Sequence, residues 1–259
     1  MGSVHSLLIF VLAIIFLPWP ANAASRCLQC HPSHYADRGS CASCHNGNEK
    51  TGRKQVAHDR LIAGKHSWSK ITGSLPVERG KKLLDDLACR RCHTAATKGN
   101  KLAGNLDTVP LARQPEEMAE AIRKPVQQMP NFHLQEEAVS SLVNAILSGT
   151  AAPKRDEPPV VVHFSRAPKK DDLFEKKCGG CHRMLTNRKG GLGTGQIGPN
   201  LSGLLTPFYP KTFRDESRWT VARLKDWVEN PRKFRKVTTM QPVALQEGEW
   251  TVIRRVFED

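Results

Sequence analysis

The chain has 259 residues, and its 39 Lys and Arg outnumber its 25 Asp and Glu, which gives a formal net charge of +14. A chain this basic favours an acidic protein partner or an anionic membrane surface. Nucleic acid, the usual alternative, is disfavoured because the chain is predicted to be exported and its basic residues cluster around the cysteine motifs described next.

All eight cysteines lie in four copies of the pattern Cys-x-x-Cys-His. This is the attachment signature of c-type haem, in which two thiols add to the porphyrin vinyl groups and the adjacent His ligates the iron. Four disulfides or a ribbon-type zinc site would also use paired cysteines, but neither explains the repeated His. The pattern predicts four covalently bound haem c groups, attached at Cys27, Cys30 and His31; Cys41, Cys44 and His45; Cys89, Cys92 and His93; and Cys178, Cys181 and His182.

Residues 1–23 are predicted to be a signal peptide. Residues 7–17 form an apolar run too short to span a bilayer, and Ala21-Asn22-Ala23 is a small-x-small cleavage site. The segment before the run carries no Lys or Arg, so an uncleaved membrane anchor stays an alternative. Export agrees with the cofactor, because c-type haem is attached outside the bacterial cytoplasm, and it predicts a periplasmic protein.

Residues 24–72 hold the first two motifs, with only nine residues between His31 and Cys41. Nine residues span about 30 Å at most, so the two haems are expected to lie close together. The segment is rich in Gly, Ser, Asn and His, which predicts loops with one or two short helices. In motif spacing and histidine content it resembles the closely spaced bis-histidine haem pairs of multihaem cytochromes.

Bis-histidine ligation needs a second histidine for each iron, and the candidates are His34, His58 and His66. His34 follows His31 too closely to reach the far face of the same haem, but it can reach the iron held by His45. His58 lies in a short apolar-flanked stretch that is predicted to be helical, and it is assigned to the first haem. His66 is kept as the alternative ligand.

Residues 73–150 are predicted to form a second unit. An amphipathic helix over residues 76–87 leads into the third motif, a Gly- and Asn-rich loop follows, and Met129-Pro130 precedes an amphipathic helix over residues 134–147. This is the element order of class I cytochrome c, and the unit resembles that family over its whole length. The resemblance implies that Met129 is the distal ligand.

Residues 151–170 are predicted to be a linker. Four prolines and mixed charges favour an extended, semi-rigid spacer. The run Val160-Val161-Val162 could instead add an edge strand.

Residues 171–259 repeat the class I order more completely. The stretch from Ile197 to Leu201 resembles the family's loop in which a proline carbonyl accepts the N–H of the proximal histidine. The resemblance therefore implies that Pro199 orients His182. Further helices are predicted at residues 171–177, 219–229 and 245–257.

Met240 is the implied distal ligand of this last unit. The family usually has Met-Pro, whereas this chain has Met240-Gln241-Pro242, so the conformation of the ligand loop is left open. Thioether ligation generally gives a higher potential than a second imidazole. The two class I units are therefore predicted to titrate above the N-terminal pair, with electrons entering at residues 24–72.

The predicted fold class is mainly α: a haem-organised, loop-rich dihaem module followed by two small all-α class I cytochrome c domains. Four irons need four distal ligands, and the five candidates named above are enough to supply them. A saturated iron has no vacancy for substrate, so electron transfer is predicted rather than catalysis. A multihaem reductase or di-haem peroxidase with one open haem is the alternative. A third reading is a cytochrome subunit docked to a membrane oxidoreductase complex.

Nine basic residues crowd the haem loop predicted for the last unit. They are interpreted as a docking patch for an acidic redox partner, against the alternative of a solvated charged face. The members of this basic patch are Lys211, Arg214, Arg218, Arg223, Lys225, Arg232, Lys233, Arg235 and Lys236.

Overall fold

The computed structural model describes residues 25–152 and 172–259. The predicted signal peptide and edge strand, and nearly all of the predicted linker, lie outside them. The described residues are mainly helical, in agreement with the mainly α part of the predicted fold class. They also contain one small hairpin in the last unit, which was predicted to be all-α. The α-helices are α1 (Cys41–His45), α2 (Lys54–Ala57), α3 (Leu75–Asp86), α4 (Val109–Ala112), α5 (Pro115–Arg123), α6 (Glu136–Ser148), α7 (Leu173–Lys177), α8 (Val221–Glu229), α9 (Pro231–Phe234) and α10 (Glu247–Phe257), and the strands are β1 (Met184–Thr186) and β2 (Gly190–Leu192).

The N-terminal part of the described chain has no apolar core of its own. Across residues 25–61 no residue is buried, and backbone hydrogen bonds join its short turns instead. The Asn48 N–H donates to the Ala57 carbonyl at 2.9 Å, and the Ile62 N–H donates to the His45 carbonyl at 2.7 Å. Such a segment needs something other than its own side chains to organise it.

The helices α3 and α6 cross at very close range. Their contact forms the middle of the apolar core of the second unit, called the second core. A Cβ atom added to Gly80 of α3 would lie 1.9 Å from the Ser141 carbonyl oxygen of α6. Val139 and Val143 of α6 are at most 1% exposed in the same core. The small residue therefore sets how closely the two helices approach.

Helix α5 also packs on α6, although the sequence analysis expected a loop between the third motif and Met129. Pro115 occupies the first helical turn, where its missing N–H costs nothing. The Gln114 N–H donates to the Glu117 carboxylate at 2.7 Å and completes a capping box. These residues were a readable helix signal that the loop prediction overlooked.

The 3₁₀ helix Gly64–Lys70 packs on α6, although the sequence analysis placed it in the dihaem module. The Asn144 side chain is fully buried and holds it from both sides. Its oxygen accepts from the Ser69 N–H at 2.9 Å, and its amide donates to the Lys65 carbonyl at 2.7 Å. The N-terminal residues are therefore attached to the second unit by this segment.

The apolar core of the third unit, called the third core, lies between α7, α8, α10 and the hairpin. Met184 of β1 pairs with Leu192 of β2, and both are buried with Phe174 and Ile253. Helix α8 begins two residues later than predicted because the Thr220 hydroxyl caps it by accepting from the Arg223 N–H at 3.3 Å. Among residues 25–152 and 172–259, no helix is long and apolar enough to cross a membrane.

Candidate haem-binding sites

The four cysteine motifs are each wound into a single turn, which brings two thiols and one imidazole together. In three of them the first cysteine carbonyl accepts from the N–H groups of the second cysteine and of the histidine, at 2.9–3.2 Å. The other motif is helix α1 itself. All eight cysteines are free thiols. This arrangement fits a group held by two thioether bonds and one axial nitrogen.

Two of the thiols lie in strongly apolar surroundings. Burial raises the pKa of the Cys89 thiol and of the Cys178 thiol, each to about 11. Burial also lowers the pKa of His93, which favours the neutral imidazole that a metal requires. Both motifs thus place a thiol in surroundings that disfavour its charged form.

His34 and His45 face each other in the N-terminal module. Their Nε2 atoms are 3.3 Å apart, and His45 Nδ1 lies 3.0 Å from the Ile62 carbonyl oxygen. That hydrogen bond would leave Nε2 of His45 free for a metal. Two metal–imidazole bonds of about 2 Å each need about 4 Å between nitrogens, so an iron fits after a widening of under about 1 Å.

His31 and His58 form the second pair of facing rings. Their centroids are 6.1 Å apart and the rings are tilted by 49°. With metal–nitrogen bonds of about 2 Å and ring radii of about 1 Å, two axial imidazoles have centroids about 6 Å apart. His58 stands at the carboxyl end of α2, which ends at Ala57. The structure thus brings together both pairs that the sequence analysis proposed.

His66, the alternative ligand, is directed elsewhere. Its ring is 1% exposed, and its Nε2 lies 3.3 Å from the Glu116 carboxylate of α5. Burial lowers the pKa of His66, while the hydrogen bond to Glu116 opposes that shift. Its place under α5 makes His66 part of the packing between Gly64–Lys70 and the second unit.

Each proximal histidine of the last two motifs is oriented by a backbone carbonyl. His182 Nδ1 donates to the Pro199 oxygen at 2.9 Å, in the place that the resemblance implied. His93 Nδ1 donates to the Gly104 oxygen at 2.7 Å, a partner that the sequence analysis missed. The sequence did carry a signal for this carbonyl, because an Asn-Leu pair follows Gly104 just as one follows Pro199.

Glycines line the fourth motif where a side chain would not fit. A Cβ atom on Gly198 would lie 2.2 Å from Cε1 of His182, and one on Gly193 would lie 2.0 Å from its carbonyl oxygen. Gly193 has a positive φ of 72°. Beside the third motif, Gly99 has a positive φ of 130°, and a Cβ atom on it would lie 2.0 Å from the His93 carbonyl oxygen. The two loops thus cover their histidines in the same way.

The predicted distal methionines lie in different surroundings. Met129 is half-buried in the segment between α5 and α6. Met240 packs on the third core, and its sulfur accepts a hydrogen bond from Nε1 of Trp227 at 3.0 Å. Met184, two residues after His182, is 2% exposed inside β1.

The basic patch lies against an aromatic cluster beside Met240. Trp227 contacts Phe213, Trp219 and Phe234 in this cluster, with ring centroids 5.5–6.4 Å apart. The Arg235 guanidinium stands 5.7 Å from the centre of the Trp227 ring. Seven members of the patch are exposed, and Arg223 and Lys225 are half-buried.

The second unit matches a known family. Residues 75–144 match the family model for cytochrome C oxidase, cbb3-type, subunit III. This stretch is a cytochrome c domain. It contains the third Cys-x-x-Cys-His motif and Met129, so it implies covalently bound haem c and suggests electron transfer. No curated protein matches the chain.

Proposed function

We propose that the chain is an exported tetrahaem c-type cytochrome that carries electrons between a donor and a downstream acceptor. The observation that carries this proposal is the fourfold repetition of one Cys-x-x-Cys-His turn with free thiols. A cytochrome c domain around the third motif supports it. The first, second and fourth motifs are assigned as haem-attachment sites because they share the same Cys-x-x-Cys-His pattern.

The distal ligands follow from the paired side chains. His34 serves the iron of His45, and His58 serves the iron of His31, as their facing rings support. Met129 and Met240 serve the irons of His93 and His182 by the class I element order. With every iron saturated, substrate cannot bind to it, and electron transfer remains as the function.

The partners follow from charge and from the type of domain. A basic patch beside the fourth motif favours an acidic redox protein. A membrane quinol oxidoreductase complex is the candidate donor, and the chain would then act in the periplasm. It would be anchored there if its leader is retained.

Mass spectrometry of the denatured holoprotein tests the proposal directly. Four covalently bound haems per chain are expected, and the double variant Cys41→Ala/Cys44→Ala should lose one of them. The matched control Met184→Leu changes a buried core residue outside every motif and should keep all four. Three or fewer haems on the fully loaded wild-type protein would contradict the count. Binding of carbon monoxide to the reduced protein would favour the open-haem alternative.

A further inference from the structure

The second and third units meet at a junction of backbone and side-chain hydrogen bonds. The Asn200 amide donates to the Gln128 carbonyl at 2.7 Å. The Arg183 guanidinium donates to the Gln127 carbonyl at 3.1 Å, and the Arg91 guanidinium donates to the Asn200 carbonyl at 3.2 Å. The segment that directly precedes the predicted distal ligand of one unit therefore rests on the proximal loop of the other.

The junction is closely packed as well as hydrogen-bonded. A Cβ atom on Gly191 would lie 2.5 Å from the side chain of Gln128, and one on Gly203 would lie 2.6 Å from the Arg91 carbonyl oxygen. The Arg91 guanidinium also stands 5.6 Å from the centre of the buried Tyr209 ring. Glycine at two positions lets the two backbones touch.

A continuous chain of contacts crosses this junction between two haem-binding motifs. Arg91 directly precedes Cys92 in the third motif, and its guanidinium donates to the Asn200 carbonyl at 3.2 Å. The fully buried Ser202 donates its hydroxyl to the Asn200 side-chain oxygen at 2.7 Å. Asn200 is covalently joined to Pro199, whose carbonyl accepts from His182 Nδ1 at 2.9 Å. The third Cys-x-x-Cys-His motif is thus linked through Arg91, Asn200 and Pro199 to the proximal imidazole of the fourth.

We propose that electrons pass directly between the sites of His93 and His182 along this junction path, and that Asn200 is its positioning residue. The inference rests on the proposed function of the two motifs. One electron leaves the reduced site and enters the oxidised one, and no bond forms or breaks. Asn200 qualifies because its side chain bonds both the Gln128 carbonyl and Ser202, while its carbonyl holds Arg91.

The chain offers a matched control at Asn105. Its side-chain oxygen accepts from the Asp107 N–H at 2.9 Å, just as that of Asn200 accepts from the Ser202 N–H at 3.0 Å. Both asparagines therefore shape their own loop in the same way. Serine in either place keeps a short acceptor for that turn and removes the amide donor.

The experiment compares Asn200→Ser with Asn105→Ser in the full holoprotein. Hydrogen exchange followed by mass spectrometry should show faster exchange in the peptide around Gln127 and Met129 for Asn200→Ser. An increase of about fivefold is expected, the effect of losing one hydrogen bond. Flash reduction of one site, followed by optical detection of the other, should show a severalfold slower electron equilibration. Asn105→Ser should leave the exchange of this peptide at the wild-type value.

Equal exchange and equal electron equilibration in the two variants would overturn the proposal. Four haems by mass spectrometry and an intact methionine-to-iron absorption band in both variants would show that the failure concerns the junction path. A wild-type protein with fewer haems would instead refute the proposed function. Faster exchange with unchanged electron equilibration would also overturn the proposal, because it would make Asn200 a structural contact only.

Discussion

At the residue scale, the two methionines are expected to set the upper potentials of the molecule. Sulfur stabilises ferrous iron more than a second imidazole does, so Met129→His and Met240→His should each move one high-potential component downward. The expected shift is roughly 0.1–0.3 V, within the range of about 0.8 V that axial ligands can set. A spectroelectrochemical titration measures it.

The same titration separates ligation from general packing. Met184→Leu, in the buried strand β1, should leave every component in place. The low-potential pair should not move in any of these variants. Four haems that titrate together in the wild-type protein, or a Met240→His variant without a shift, would contradict methionine ligation and the direction of flow.

His66 is expected to make the protein less stable in mild acid. Burial lowers the pKa of His66 in the folded chain below the ordinary 6.5. Glu116 acts to raise this pKa, whereas the cations Lys65 and Arg123 lower it further. Below 6.5 the unfolded chain binds more protons, so the free energy of unfolding falls as the pH decreases. Between about pH 7 and pH 5, His66→Gln should lose less stability in urea unfolding than the wild type. An equal loss in both proteins would show that His66 does not contribute.

Several individual contacts could be predicted from the sequence, and others could not. The pairing of His34 with His45 follows from counting ligands against motif spacing, and the Pro199 carbonyl follows from a resemblance. The Ile62 carbonyl was missed because any residue can supply a backbone oxygen. The Gly104 carbonyl was missed although the Asn-Leu pair after it parallels the pair after Pro199. Their positions depend on the path of the loop rather than on a side-chain type.

At the scale of elements, Gly80 is expected to control the crossing of α3 and α6. In an isolated helix, Gly80→Ala would gain up to about 1 kcal/mol of propensity. Here the added methyl would meet the Ser141 backbone, so we expect a net destabilisation of about 1–3 kcal/mol. Chemical unfolding measures the change. Gly248→Ala in α10, where nothing lies near the added atom, should be neutral or stabilising. A stabilised Gly80→Ala protein would contradict the close crossing.

The helices show where sequence patterns suffice. Periodic apolar residues predicted α3, α6, α8 and α10 to within about two residues. Side-chain caps account for the later starts of α8 and α10. The hairpin of β1 and β2 was not predicted because strands of three residues are too short for a period-two pattern to stand out.

At the scale of the whole molecule, association with an acidic partner is expected to depend on salt. Exposed charges are screened beyond about 8 Å at physiological ionic strength, so the association rate should fall steeply as salt is added. The double variant Arg232→Glu/Lys236→Glu, in the exposed part of the basic patch, should slow association at low salt. Stopped-flow kinetics with an acidic redox protein measures the rate.

The control for this prediction lies in the N-terminal module. Lys50→Glu/Lys54→Glu changes the net charge equally at two exposed residues outside the patch. A similar loss of rate in both double variants would point to net charge alone. Rates that do not change between low and high salt would contradict electrostatic docking.

The cytochrome c domain around the third motif could be predicted because its helices, cysteine motif and methionine follow a recognisable order. The junction between the second and third units could not. Asn200, Arg91 and Gln128 are ordinary polar residues in the sequence, and only the folded loops bring them within 2.7–3.2 Å of their partners. The packing of Gly64–Lys70 on α6 was hidden for the same reason.

The hairpin distinguishes the third unit from the second. The loop from His182 to Pro199 spans 17 residues, whereas that from His93 to Gly104 spans 11 and closes with a single bridge between Ala95 and Lys98. The longer loop contains Gly191, against which the Gln128 side chain packs closely. A second copy of the unit with the shorter loop, placed last, would lack this packing surface for Gln128. The contact between Gln128 and the last unit therefore depends on the longer loop of that unit.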